Sequence, residues 1–177
     1  MDLDNSLRGQ LAAAAIEVLL IDAGYQVIPT GIERSLRELR TLGIDRYLAL
    51  APVQLRTTPD FFVLDPDAEE SWLVEVKFRR YLHENLSEDL EAVQKIWSPF
   101  ALLLVLEEPP KEWTGEVKHI RVFDIAPGKH LTPRFFREKG ARLQDVFLRL
   151  RGKWSDSTIL TVQEACLRLV AQSGDED

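Results

Sequence analysis

A chain of 177 residues with 45% hydrophobic content has room for one good core and reads as a single domain over 1–177. Its one cysteine, Cys166, excludes an internal disulfide and a zinc–thiolate cluster, which fits a reducing, cytoplasmic setting. No apolar run approaches the length of a membrane span, and a net charge of −7 argues mildly against a nucleic-acid partner.

The first predicted element is a helix from about Asn5 to Ala23, with Leu7, Leu11, Ala14, Ala15, Val18 and Leu19 at helical spacing and Gly24 as its stop. Glu17 and Asp22 interrupt the Ala-rich stretch, and Asp2 and Asp4 precede it, so it makes a poor signal peptide. Glu17 is flanked by Ala13, Ala14, Leu20 and Ile21, a setting where a carboxylate needs a partner or a metal. The alternative is a boundary residue that reaches out to water. Tyr25 to Ile28 reads as a strand, left through Pro29-Thr30-Gly31. Ile32 to Leu42 reads as a short helix carrying Arg34, Arg37 and Arg40, with Glu33 and Glu38 diluting their field. Tyr47 to Leu55 is expected to be partly extended, broken by Pro52.

The most informative stretch is Thr57 to Arg80. Pro59-Asp60 opens an apolar strand, Phe61 to Leu64; an acidic turn, DPDAEES, follows; then Trp72 to Phe78 alternates. Alternation sends Trp72, Val74, Val76 and Phe78 one way and Leu73, Glu75 and Lys77 the other. An acid and an amine two residues apart on a strand are ~7 Å apart at the backbone, and both side chains reach one point in front of the sheet. Asp60, at the head of the neighbouring strand, can bring a second carboxylate there. Two carboxylates and a lysine suit Mg²⁺ or Mn²⁺, which take oxygen ligands and keep several waters. The alternative is a solvated ion pair running along the strand.

Ser87 is expected to cap a helix with Glu88, Asp89 and Glu91 in its first turn and Leu90, Val93 and Trp97 facing the core. His83 has no second His or Cys at ligand spacing. Phe100 to Leu106 is an uninterrupted apolar run, the mark of a central strand covered on both faces. Val117 to Ile125 alternates and reads as a strand nearer the edge.

Pro59-Asp60, followed fifteen residues on by Glu75-x-Lys77 on an apolar strand, resembles the PD-(D/E)xK nuclease superfamily. The order helix, three strands, helix, strand over residues 5–125 matches the αβββαβ core of that superfamily. The resemblance implies an α/β, restriction-endonuclease-like fold: a mixed central sheet flanked by helices, with a C-terminal helical extension at 126–172 and a disordered acidic tail at 173–177. It implies metal-dependent hydrolysis of nucleic acid, with DNA the expected substrate. Asp60, Glu75 and the main-chain carbonyl of Val76 would hold the metal, Lys77 would orient water or steady the transition state, and Glu17 would extend the metal site. Many superfamily members carry a catalytic-site Gln on the following helix four residues before a Tyr, which makes Gln94 the expected counterpart here, with Ser98 in place of the Tyr. Arg79, Arg80, Tyr81 and Lys95 would meet the nucleic-acid backbone and bases. A homodimer would suit double-strand cutting. The alternative is an inactive nuclease-fold protein that binds nucleic acid or serves assembly.

Beyond the core the charge is skewed: Lys129 to Lys153 holds eight Lys or Arg against Glu138 and Asp145. Arg142 to Arg151 reads as a basic helix, and Thr161-x-x-Glu164 opens a final helix with Cys166 on its apolar stripe. Segregation of this kind permits a basic face on an acidic protein.

Overall fold

Five strands lie side by side in chain order, β1 to β5, in the computed structural model, which describes residues 3–31, 52–82, 85–115, 117–153 and 164. The elements are α1 (Leu3–Asp22), β1 (Gln26–Pro29), α2 (Val53–Arg56), β2 (Phe61–Asp65), β3 (Glu70–Tyr81), α3 (Leu86–Trp97), β4 (Phe100–Glu108), β5 (Ile120–Ile125), α4 (Pro133–Glu138), α5 (Leu143–Val146) and α6 (Leu150–Lys153). β1–β2, β2–β3 and β4–β5 pair antiparallel, β2–β3 through a short turn, whereas β3 and β4 are parallel because α3 carries the chain back between them. The class is α/β: a mixed sheet flanked by helices.

α1 buries Ala12, Ile16, Leu19 and Leu20 along one stripe and leaves Val18 and Ile21 exposed. It stops where Gly24 takes a φ of 95°, with its own amide on the Ile21 carbonyl and the Tyr25 amide on the Leu20 carbonyl. That paired closure needs a left-handed residue, and glycine adopts it without a Cβ clash. α1 covers the sheet face bearing Val63, Val74, Val76, Phe78, Leu103 and Val105. α3 covers the other face with Leu86, Leu90 and Val93, against Leu102, Leu104, Leu106 and Phe123. β4 is therefore apolar from Phe100 to Leu106, where both of its faces are inside, and burying each leucine contributes about 1.5–3 kcal/mol.

The extension is part of the core. Leu131 and Phe136 join the α3 side, and Leu143, Phe147 and Leu150 join the α1 side. Ala141 exchanges two backbone hydrogen bonds with Val122, covering the outer edge of β5. The basic helix expected over 142–151 is broken into α5 and α6 at Phe147, Leu148 and Arg149. Two contacts hold the break: the Arg149 amide donates to the Tyr25 hydroxyl at 3.1 Å, and its guanidinium donates to Asp65 at 2.6 and 2.8 Å.

Other boundaries differ from the sequence-based expectation for local reasons. Pro52 starts a helical turn, α2, in place of ending a strand; the Leu55 amide returns to its carbonyl, and the Thr57 and Thr58 hydroxyls donate to Val53 and Gln54. α3 begins at buried Leu86, ahead of Ser87. β3 is longer than expected, running from Glu70 to Tyr81. The expected helix at 32–42, the extended residues 47–51, His83, the helix after Thr161 with Cys166, and the acidic tail lie outside the described residues. No helix among the described residues is long and apolar enough to cross a membrane.

Candidate active site

Where β2 and β3 part, a carboxylate takes over from the strand. Their pairing ends at Phe61 opposite Val74. One position outside that last pair, the Asp60 carboxylate accepts the Val76 amide through Oδ2 at 2.8 Å. A side-chain oxygen thus supplies the acceptor that a longer β2 would supply with a carbonyl. Asp60 is itself held by the turn just after β1: the Thr30 and Gly31 amides donate to its carbonyl at 3.0 and 3.3 Å, and the Thr30 hydroxyl donates to the Pro59 carbonyl at 2.6 Å. Buried Pro59 fixes the backbone just before it.

Glu75 and Lys77 lie on the sheet face away from α1, level with Leu102 and Leu104 of β4. The Glu75 side chain is only 6% exposed and the Lys77 side chain 27%, and Lys77 Nζ sits 2.5 Å from Glu75 Oε1. The lysine stem folds back over the ~7 Å backbone spacing to make this contact. It is an ion pair along the strand, and its acid end is buried. Burial works to lower the Lys77 pKa, but the Glu75 charge and hydrogen bond, with the Asp60 charge, outweigh it and leave it above the ordinary lysine value. With Glu75 in contact, the direction of the shift favours the ammonium form of Lys77. Both carboxylates bear on its one ammonium.

Two further residues share that face. Arg79 donates to Asp89 on α3 at 2.6 Å and to the Phe78 carbonyl at 2.8 Å, and Tyr81 lies exposed at the end of the strand. Arg80, on the opposite face, donates to Glu108 at 3.0 Å. Lys95 is exposed on α3. Of the four side chains expected to meet nucleic acid, both arginines carry an acidic partner.

Two residues taken from the resemblance are placed elsewhere. Glu17 rides on α1, over the face of Val74 and Val76, while Glu75 and Lys77 point to the other side. Among the described residues no group of three or more His, Cys, Asp or Glu is placed to hold a metal, so Glu17 forms no three-acid cluster with Asp60 and Glu75. The Gln94 side-chain amide donates to the Ala126 and Lys129 carbonyls at 3.0 and 2.8 Å, fixing the loop after β5.

The clamp of Thr30 and Gly31 on Asp60 was hidden in the sequence, where the only signal was the Pro29-Thr30-Gly31 turn. So was buried Arg121, which donates to the Thr114, Val117 and Ile120 carbonyls and lies over the Trp113 ring. A pocket of about 310 Å³ near the start of β3 and β4, lined by Trp72, Phe100, Val122, Asp124 and Val146 among others, is separate from Asp60, Glu75 and Lys77. It is mostly apolar. No protein-family model, curated protein or solved structure matches the chain.

Proposed function

We propose that the protein hydrolyses phosphodiester bonds in nucleic acid, with DNA as the substrate and Mg²⁺ or Mn²⁺ as cofactor, on a restriction-endonuclease-like αβββαβ core. The observation that carries this reading is the placement of Asp60 against β3: its carboxylate, at the head of β2, accepts the amide of Val76, the residue between Glu75 and Lys77, which are ion-paired on the same strand.

The donor set fits such an ion. Two carboxylates and the Val76 carbonyl are hard oxygen ligands, and Mg²⁺ is commonly held by one or two protein carboxylates, with water and substrate phosphate completing its shell. When bound there, the ion would make a coordinated water more acidic and offset charge growing on the phosphate. Asp60 is braced for this by its bond to the Val76 amide and by the clamp of Thr30 and Gly31. Glu75, set in a rigid strand beside β4, has little freedom to turn away. Lys77 supplies a compact positive charge and donor for a phosphate oxygen or the attacking water.

The acidic partners of Arg79 and Arg80 favour a second reading, in which the same fold serves as an inactive binding or assembly module. One assay separates the two. Purified protein is incubated with Mg²⁺ or Mn²⁺ and single-stranded, double-stranded and branched DNA, and with RNA. Metal-dependent cleavage that disappears in Asp60→Asn supports the nuclease; binding without cleavage supports the module.

A further inference from the structure

The carboxylate that would face a divalent ion already has a cation. Lys77 Nζ lies 2.5 Å from Glu75 Oε1, and the Glu75 side chain is only 6% exposed, so this contact is largely withdrawn from water. Resting on the nuclease reading, we infer that Lys77 is an internal stand-in for the metal: its ammonium sits on the Glu75 oxygen that the ion would take, and metal binding requires it to swing away.

Three features of the site support this. The Lys77 side chain is partly exposed, so its flexible stem has a route off Glu75 toward solvent. Arg79, the next cation on that face, is tied to Asp89 and to the Phe78 carbonyl and is not placed to follow it onto Glu75. Asp60 keeps its brace on the Val76 amide whichever cation Glu75 holds, so the exchange needs no backbone movement. The consequence is a site that stays neutralised and folded without metal and takes up the ion only at some cost in affinity. Lys77 displaced from Glu75 is then available to the substrate phosphate, which couples metal uptake to the lysine's role in the chemistry.

The test is a Mn²⁺ titration of the full chain, followed by the loss of the free-ion electron paramagnetic resonance signal, with no nucleic acid present. Lys77→Met keeps most of the apolar stem and removes the charge; Lys77→Gln removes the charge and keeps a donor, in case the methionine variant does not fold. Either folded variant should bind Mn²⁺ about tenfold more tightly than wild type, or more, because a competing charge a few ångströms away is gone. Asp60→Asn combined with Lys77→Gln should lose that gain. Equal or weaker binding by both folded Lys77 variants, with the wild type binding, overturns the stand-in role and leaves the nuclease reading in place. Absence of Mn²⁺ binding in the wild type and in both folded Lys77 variants removes both.

Discussion

Asp60 Oδ2 accepts the Val76 amide at 2.8 Å, one position beyond the last β2–β3 pair. A single carboxylate therefore finishes a hairpin and stands beside the Glu75–Lys77 pair. Structure and proposed chemistry meet in one side chain, and substitutions can separate them.

Asp60→Asn keeps an oxygen able to accept the Val76 amide and removes the charge. Its thermal midpoint should stay near wild type while metal-dependent cleavage is lost. Asp60→Ala loses both, and should lower stability by a further ~1–3 kcal/mol because the Val76 amide is left without its acceptor. Paired melting curves and cleavage assays on the two variants check this.

Gly140 lies against the core in the link between α4 and α5. A Cβ there would stand 2.8 Å from Phe123 Cζ and 2.9 Å from Arg121 Cβ. Phe123 is fully packed and Arg121 is pinned by three carbonyls, so neither can give way cheaply. Gly140→Ala should cost about 1–3 kcal/mol in chemical denaturation.

Asp65 sets a pH dependence. Its side-chain hydrogen bond to Arg149 is the largest influence on it and, against the effect of burial, holds its pKa below the ordinary 3.8. The folded state thus binds this proton more weakly than the unfolded chain does. The stabilisation is fully present above about pH 4 and fades as pH falls through the lower folded value. Asp65→Asn should melt below wild type at pH 7, and the gap should narrow under acid. A gap that is constant from pH 7 to pH 2.5 contradicts this.

Much of the layout could be read from local pattern. The alternation of Trp72 to Phe78 and the unbroken run Phe100 to Leu106 reported how many faces each strand buries, and burial is what those residues follow. Gly24 announced the end of α1 for a backbone reason that needs no tertiary contact. What escaped the sequence depends on distant pairs. Nothing local to Arg149 says that Asp65, more than eighty residues earlier, breaks the basic segment into two helices. Nothing around Gln94 says that its amide serves the carbonyls of Ala126 and Lys129. At the candidate site, the acid–amine alternation gave Glu75 and Lys77 a common face, while their direct ion pair depends on the lysine stem folding back, which strand spacing leaves open. The paired arginines follow the same rule: Asp89 and Glu108 are brought to Arg79 and Arg80 only by the crossover through α3.

The most direct measurement is cleavage of end-labelled DNA by wild type and Asp60→Asn, with Mg²⁺ and with a chelator. Wild type should cut only with the metal, and Asp60→Asn, folded and melting near wild type, should not cut. Equal metal-dependent cutting by the two proteins, or none by wild type on any DNA or RNA substrate with Mg²⁺ or Mn²⁺, contradicts the assignment of Asp60, Glu75 and Lys77 as a hydrolytic centre.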